Sequence, residues 1–304
     1  MKVLVIIVTY NGLHWMDNCL GSLQNSSIPL DIFVIDNLST DGTADHIENK
    51  FPSVELIRSK ENLGFAAGNN IGLQKTIDEH YDYAFLLNQD AWLHSPDVIQ
   101  KLIQISKNNP DYGIISPIHL NGNGDKLDWN FRAYISRPEN DCRNLYSDLL
   151  LKKELQDLYE VSFVNAAAWL ISSKCLKAVG LFESKFFPHY GADGNYIFRV
   201  RYNKIKVAIN PETLIHHDRE DRQGKKLVNQ FSVPEEILGF KSRALNPFFQ
   251  NAETVLTKEI KNHRKLSLKL FLKFNITKAK VHYNLYKSKK ALIHSLLLQR
   301  EKYL

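Results

Sequence analysis

The sequence is poor in cysteine and has no long apolar run. Its three cysteines, Cys19, Cys142 and Cys175, lie far apart and form neither a C-x-x-C pair nor a zinc-binding spacing with histidine. This pattern argues against a disulfide framework and is typical of a reducing compartment. The apolar run at residues 3–8 is too short for a membrane span or for the core of a signal peptide. We therefore expect a cytoplasmic protein.

Two common nucleotide-binding motifs are also missing. The first apolar run is followed by T-Y-N-G at residues 9–12 rather than by G-x-G-x-x-G, and the chain has no Walker lysine motif. A glycine-rich turn does occur at residues 64–72. Such a turn is weak support for a nucleotide site, because it also serves the close packing of a helix on a sheet.

Positive charge is concentrated at the end of the chain. Residues 255–304 contain 13 Lys and Arg against 2 Asp and Glu, which gives this segment a net charge of 13 − 2 = +11. Because the net charge of the whole chain is +6, residues 1–254 carry 6 − 11 = −5. Two stripes repeat along this tail at helical spacing, lysines at 261, 265, 269 and 273 and apolar residues at 266, 270 and 274. This pattern is typical of a helix on an anionic membrane surface. It also fits a helix packed on its own domain with lysines in water.

The rest of the chain alternates between strand and helix patterns. Buried strands are predicted at residues 3–8 and 30–35, a short strand at 54–57 and a fourth strand at 83–87. Each is followed by a turn and by helical periodicity or helix caps. This alternation predicts an α/β fold with a single, mostly parallel sheet flanked by helices. We expect one domain at residues 1–225 and a basic helical extension at residues 226–304.

The middle of the chain is less regular. We predict a turn at residues 121–125, a mobile polar loop at 137–148, a helix at 147–158 and a strand at 161–164. Two short strands are predicted at residues 206–209 and 214–217.

Polar residues follow the predicted strands at the edge where an open α/β sheet binds its ligands. Thr9 and Asn11 follow the first strand, Asp36 follows the second and Asp90 follows the fourth. A carboxylate at that edge suits a divalent cation, and a cation there suits a diphosphate. Both aspartates could instead cap the helices that come next.

Four ordered motifs give the chain a family resemblance. They are V-T-Y-N-G at 8–12, V-I-D-N-L-S-T-D-G-T at 34–43, N-L-G-F-A-A-G-N-N-I-G at 62–72 and L-L-N-Q-D-A at 86–91. Together they resemble the family 2 inverting glycosyltransferases of GT-A fold, especially the rhamnosyltransferase-like branch. The later V-G-L-F-E-S-K-F-F at 179–187 is similar to the stretch that precedes the acceptor site in that family. The resemblance covers about residues 1–220 and leaves the basic tail out.

The resemblance implies a site for a nucleoside diphosphate sugar of UDP or dTDP type. The residues it assigns to this donor are Thr9, Tyr10, Asn11, Asp36, Ser39, Asn62, Gly64, Asn69, Asn88 and Asp90. Asn88 and Asp90 stand where the family has D-x-D, so Asp90 would be the carboxylate ligand of Mg²⁺ or Mn²⁺. His216 or His217 would assist, and because side chains alternate along a strand only one of them can face the metal. The resemblance favours His216.

The resemblance also assigns the catalytic base to Asp193. The family often has E-D-x-D at this point, whereas this chain has Ala192-Asp193-Gly194-Asn195, so the first and last acids are missing. An ordinary helix cap is the alternative role for Asp193. Beyond the histidines, Arg219 and Arg222 lie near Gly224 in a segment that could fold over a diphosphate.

The sequence therefore predicts a metal-dependent inverting glycosyltransferase that transfers a sugar to a surface glycan. A lipid-linked acceptor would explain the basic amphipathic tail, and we therefore expect the protein at the inner face of the cell membrane. The missing acids keep a second hypothesis open, a catalytically degenerate relative that binds a nucleotide-sugar and serves as an assembly or regulatory partner. A nucleotidyltransferase is disfavoured because no Gly-rich, Lys- or Arg-bearing loop follows the first strand. We expect no nucleic-acid partner, because the tail interleaves lysine with aliphatic side chains rather than exposed aromatics.

Overall fold

A computed structural model describes residues 1–136, 142–219 and 233–304. Contacts divide the chain into two compact units, Met1–Gly224 and Lys225–Leu304. None of the described helices combines the length and apolar character needed to cross a bilayer.

The first unit is built on one mixed sheet. Its strands are β1 (Val3–Thr9), β2 (Asp31–Asp36), β3 (Glu55–Arg58), β4 (Tyr83–Leu87), β5 (Ala91–Leu93), β6 (Tyr112–Leu120), β7 (Tyr159–Glu160), β8 (Ala168–Ser172) and β9 (Lys206–His217). Its helices are α1 (Leu13–Gln24), α2 (Thr43–Lys50), α3 (Gly64–Asp78), α4 (Val98–Asn108), α5 (Trp129–Ile135), α6 (Arg143–Leu150), α7 (Ser173–Val179) and α8 (Ala192–Tyr202). The prediction of an α/β fold is confirmed.

Among the described residues the sheet order is β3-β2-β1-β4-β8-β6-β9-β5, with β7 also paired to β9. Strands β1 to β4 are parallel, as the buried apolar runs predict. Strand β8 lies antiparallel between β4 and β6, and β6 pairs in parallel with β9. Strands β5 and β7 both run antiparallel to β9. Parallel pairing therefore dominates only the amino-terminal half of the sheet.

Three predicted elements in the middle of the chain differ from the structure. The helix predicted at residues 147–158 is α6, which ends at Leu150, and Lys152 beyond it has a φ of +53° that a helix cannot continue through. The prediction of a strand at residues 161–164 is wrong: these residues are in no strand, and the two-residue strand β7 ends just before them. The two short strands predicted at residues 206–217 form one strand, β9, with an irregularity opposite Pro117 and Ile118. Part of the predicted polar loop, residues 137–141, lies outside the described residues.

The glycines of α3 let that helix lie directly on β1. A Cβ at Gly72 would come within 2.6 Å of the Ile6 side chain, and one at Gly68 within 2.8 Å of the Val8 side chain. The absence of a side chain at these two positions lets the backbone of α3 contact the side chains of the central strand β1 directly. These two glycines serve helix–sheet packing, which is one of the two roles the sequence allowed.

The second unit is a three-helix assembly of α9 (Val233–Ala244), α10 (Ala252–Leu272) and α11 (Ile276–Glu301). Lys289 of α11 is fully buried, with its Nζ 2.5 Å from carboxylate oxygens of both Glu236 and Glu259 and 3.0 Å from Nε2 of His263. Partial burial acts to raise the pKa of the Glu259 carboxyl, but the hydrogen bonds and charges of Lys289 and Arg243 together outweigh burial and lower that pKa. The ammonium group neutralises this acidic cluster from within.

We expect Gly72→Ala to destabilise the protein by roughly 1–3 kcal/mol, because the added methyl group forces α3 away from Ile6. Gly21→Ala is the matched control, since Gly21 lies inside α1 with open space around its Cα. The control should be neutral or stabilising by up to about 1 kcal/mol, from helix propensity alone. Equilibrium unfolding in urea measures both. Equal stability of the two variants would contradict the close packing of α3 on β1.

Candidate active site

The loop after β4 is tied to the end of β1 through the side chain of Gln89. Its Oε1 atom accepts hydrogen bonds from the Thr9 hydroxyl and from the Tyr10 amide, each at 2.7 Å. A Cβ at Gly12 would meet the same oxygen at 2.5 Å, so only glycine leaves room for this bridge. Two strand ends that are far apart in sequence are thus held at one edge of the sheet.

A cavity of about 280 Å³ opens at this edge, which we call the first cavity. The predicted donor residues that line it are Thr9, Tyr10, Asn62, Gly64, Asn88 and Asp90. Gly64 has a φ of +78° and lies against the Pro188 carbonyl, so a side chain there is excluded twice over.

Three other predicted donor residues join the loops beside the first cavity. The Asn11 amide donates to the Ser39 hydroxyl at 2.9 Å, and the Ser39 amide donates to Oδ2 of Asp36 at 3.0 Å. The other carboxylate oxygen of Asp36, Oδ1, is buried and has no hydrogen-bond partner among the described residues. A buried acceptor without a partner is costly, and in ligand-binding proteins such a group is commonly satisfied by the ligand.

Asn69 does not reach the first cavity. It is buried within α3, where its side-chain amide donates to the Phe65 carbonyl at 2.9 Å. The pairing of residues four apart along a helix turns this side chain toward its own backbone. The structure therefore gives Asn69 a role within α3 and not beside the other predicted donor residues.

Asp90 lies beside His217. Its Oδ1 is 3.4 Å from Nε2 of His217, and both side chains are buried, with 2% and 0% exposed. The side-chain nitrogen of Asn88 is also 3.4 Å from that imidazole nitrogen. Burial lowers the pKa of His217, although Asp90 acts in the opposite sense, so the neutral imidazole is favoured at neutral pH.

The preference for His216 is corrected by this geometry. In the antiparallel pair of β5 and β9, Ala91 is opposite His217 and Trp92 is opposite His216. His216 stacks on the Trp92 ring at 5.2 Å and contacts His94 through a 3.0 Å hydrogen bond. Because successive side chains point to opposite faces of a sheet, His216 faces away from Asp90.

An acidic residue behind His217 extends this polar network. Nδ1 of His217 is 3.8 Å from Oδ2 of Asp128, and Nε of Arg219 is 2.9 Å from the same oxygen. The other oxygen of Asp128 accepts the Phe131 amide at 2.7 Å and so caps α5. Asp128 follows no recognisable motif, and its position depends on the pairing of β6 with β9, which explains why the sequence does not single it out.

A second cavity of about 570 Å³ lies next to the first, and Phe65, Asn88 and His189 line both. Asp193 and Arg219 line the second cavity. The two cavities therefore adjoin each other at these three residues, and we call them together the groove. Arg222 and Gly224, predicted to act beside Arg219, lie outside the described residues.

Asp193 stands in the first turn of α8, facing this groove. One of its carboxylate oxygens accepts the Gly194 amide at 2.8 Å. Burial raises the pKa of Asp193, against the opposing effects of backbone hydrogen bonds and of the Arg219 charge. A carboxylate whose pKa is raised toward neutrality is a better proton acceptor for a hydroxyl group.

The two missing acids fall in different surroundings. Ala192 is buried and lines the second cavity, so the absence of an acid there changes the groove itself. Asn195 is buried inside α8, where its Oδ1 accepts from Nε of Arg199 at 3.2 Å. Arg199 also donates to the Leu181 carbonyl at 2.7 Å. An amide at position 195 thus supplies the acceptor that a carboxylate would, on the side of α8 away from the groove.

Comparison with known proteins identifies the family. The model of Glycosyl transferase family 2 matches residues 4–179, more than half of the chain. The chain belongs to this family, as the ordered motifs predict.

Curated relatives match only in part. An undecaprenyl-phosphate mannosyltransferase of Micrococcus luteus is 28% identical over 107 residues, covering 34% of this chain and 44% of that protein. A dTDP-rhamnosyl transferase of Shigella flexneri is 34% identical over 90 residues, covering 28% of this chain and 31% of that protein. The chain thus spans less than half the length of these two relatives. This second match, over 28% of the chain, is partial support for the predicted resemblance to the rhamnosyltransferase-like branch.

Solved structures share the fold. TarS of S. aureus in complex with UDP-GlcNAc superposes with a TM-score of 0.58 at 16% identity, covering 81% of this chain and 66% of that chain. A mannosyltransferase of Pyrobaculum calidifontis in complex with GDP-Man and Mn²⁺ gives 0.50 at 16% identity, covering 95% and 86%. The predicted GT-A fold is confirmed.

The raised pKa of Asp193 predicts a pH-dependent stability difference. Because the folded-state pKa exceeds the unfolded value, this group favours folding at pH below the unfolded pKa, and that contribution is lost as pH rises through the folded pKa. Asp193→Asn should therefore unfold at a higher denaturant concentration than the wild type at neutral pH, with the difference disappearing in acid. Equilibrium unfolding of both proteins across pH measures it. A variant less stable than wild type at neutral pH would contradict burial of the charge.

Proposed function

We propose that this chain transfers a sugar from a nucleoside diphosphate donor to a glycan acceptor with inversion at the anomeric carbon. The observation that carries the proposal is the groove, in which Asp90, beside the buried His217, lines the first cavity and Asp193 lines the second. Membership of glycosyl transferase family 2 supports the reaction class. Among the proteins named above, TarS is in complex with UDP-GlcNAc, the Pyrobaculum mannosyltransferase is in complex with GDP-Man and Mn²⁺, and the Shigella relative is a dTDP-rhamnosyl transferase.

The first cavity is the proposed donor site. The loop atoms of Thr9 and Tyr10, held by Gln89, and the buried carboxylate of Asp36 would face the nucleoside and ribose. The partial match to a dTDP-rhamnosyl transferase supports a pyrimidine nucleotide, UDP or dTDP.

The residues around Asp90 fit a divalent cation. A carboxylate oxygen and a neutral imidazole nitrogen lie 3.4 Å apart. The carboxylate is the oxygen ligand that Mg²⁺ and Mn²⁺ prefer, and imidazole is a common ligand of transition metals, so the pair suits Mn²⁺ better than Mg²⁺. Diphosphate oxygens and water would fill the remaining positions. Asp128, on the far side of His217, would orient the imidazole. When bound, the cation would neutralise the charge of the departing diphosphate.

The second cavity is the proposed acceptor site, with Asp193 as the base. The acceptor hydroxyl would attack the anomeric carbon from the face opposite the diphosphate, and its proton would pass to the Asp193 carboxylate. The bond from the anomeric carbon to the new oxygen forms as the bond to the diphosphate oxygen breaks, which inverts the configuration. The Arg219 charge would offset a small part of the effect of burial on the pKa of this carboxylate.

Ala192 favours a second candidate function. An acid that the family often has is absent from the wall of the second cavity, so the chain could bind a nucleotide-sugar without transferring it. In that case it would act as an assembly or regulatory partner. Retention of Asp193 supports the enzyme instead.

Thermal unfolding with nucleoside diphosphates tests the donor site. We expect UDP or dTDP to stabilise the protein only with Mn²⁺ or Mg²⁺ present, by about 2.7 kcal/mol at a hundredfold excess over the dissociation constant. Asp90→Ala and His217→Ala should remove the dependence on metal. His216→Ala is the matched control and should retain it, because its side chain faces Trp92.

Stabilisation that survives in Asp90→Ala, or that is lost in His216→Ala but not in His217→Ala, would contradict the proposed metal ligands. No stabilisation by any nucleoside diphosphate, with or without metal, would contradict both candidate functions.

A further inference from the structure

Helices α10 and α11 form a hairpin, and most of the buried residues of this hairpin lie at one end of it. At that end α9 covers both helices, through Glu236 on Lys289 and through Arg243 on Glu259. Between residues 261 and 283, which include the turn of the hairpin, only Ser267 and Ala279 are buried. These two small residues meet through a 2.9 Å hydrogen bond from the serine hydroxyl to the alanine carbonyl. At the far end of the hairpin, α10 and α11 are thus in contact with each other without a core of large apolar side chains.

Large apolar side chains nevertheless cluster at this far end. We call the cluster the hairpin tip, formed by Leu268, Phe271, Leu272, Phe274 and Ile276, and these side chains are between 42% and 90% exposed. Their exposure is not spread along one helical face, as the 266, 270, 274 stripe predicts for a helix lying flat on a surface. It is concentrated where the chain turns.

The most exposed member of the tip is also in a strained backbone conformation. Phe274 has a φ of +58° in the turn between the helices and is 90% exposed. Glycine or asparagine is the residue type expected at such a position, and a bulky side chain there is an outlier. Neither local folding nor packing within the second unit accounts for a phenylalanine in this turn.

The surroundings of the tip carry charge of one sign. Residues 261–283 contain Lys261, Arg264, Lys265, Lys269, Lys273, Lys278 and Lys280 and no Asp or Glu. The carboxylates of the unit that pair with Lys289 lie at the opposite end, on α9 and at the start of α10. Exposed apolar side chains flanked by lysines match the surface of an anionic bilayer, where hydrocarbon lies beneath anionic headgroups.

We propose that the hairpin tip enters the boundary between headgroups and acyl chains of an anionic bilayer and holds the protein at the membrane surface. Phe271, Leu272 and Phe274 are buried among acyl chains, and the lysines contact phosphate groups. The proposal concerns the second unit alone and does not rest on the proposed transfer reaction. A lipid-linked acceptor would be presented at the same surface.

Flotation of the full-length chain with vesicles tests the proposal. Wild-type protein should float with vesicles containing about one-third phosphatidylglycerol in phosphatidylcholine and not with phosphatidylcholine alone. Phe271→Ser with Phe274→Ser should lower the partition coefficient by at least about tenfold, because two phenyl rings no longer leave water. Lys269→Gln, Lys273→Gln and Lys278→Gln together should lower it by about a hundredfold. Leu150→Ser is the matched control, since Leu150 is 82% exposed on α6 and outside the tip.

A fluorescent label reports insertion directly. The three native cysteines are buried, so a cysteine introduced at position 274 can be labelled selectively with an environment-sensitive dye. We expect a blue shift of Phe274→Cys emission on addition of the anionic vesicles, and none for a label at Leu150→Cys. Equal flotation of wild type and the double Phe variant, or an unshifted label at position 274, would overturn the proposal.

The same labelled and substituted proteins distinguish membrane binding from self-association through the hairpin tip. A blue shift at position 274 that appears without vesicles and increases with protein concentration, together with a dimer in light scattering that the double Phe variant abolishes, would overturn the proposal in favour of an interface between two copies. A monomer that floats only with anionic vesicles supports it.

Discussion

The short antiparallel pairing of β5 with the end of β9 is the constraint on which the site depends. It sets Ala91 opposite His217, and so brings Asp90, one residue before, against the imidazole of a residue far along the chain. The same strand end carries Arg219 to Asp128 and to the wall of the second cavity. If this pairing slipped by one residue, His216 and His217 would exchange faces and the polar network would be lost.

Two buried polar groups at the groove lower the stability of the folded protein, and both are groups to which we assign a role in binding or catalysis. Oδ1 of Asp36 is without a hydrogen-bond partner among the described residues, and the Asp193 charge is disfavoured by burial. Proteins commonly retain such groups at functional sites and compensate with packing elsewhere. Here the close contact of α3 with β1 through Gly68 and Gly72 is one such packing contact.

The amino-terminal half of the fold could be predicted from the sequence because its signals are local. Strands β1, β2 and β4 contain continuous apolar runs, and the motifs at the strand ends contain Thr9, Asn88 and Asp90. Strand β3 is short and mostly exposed. The second half could not be predicted as well, because β8 and β9 acquire their neighbours from distant parts of the chain. Alternation along β9 correctly separates His216 from His217, yet only the pairing with β5 determines which of them faces Asp90. Gln89, Asp128 and His189 were missed for the same reason.

The most direct test of the central claim is to separate binding from turnover at Asp193. Donor binding and transfer, or slow donor hydrolysis where the acceptor is unknown, should be measured for wild type and for Asp193→Asn. The account predicts donor affinity within about twofold of wild type and turnover lower by about 10²–10⁴-fold, the usual contribution of a general base. Full turnover in Asp193→Asn would contradict the assignment of Asp193 as the base, and with it the proposal that the second cavity is the acceptor site.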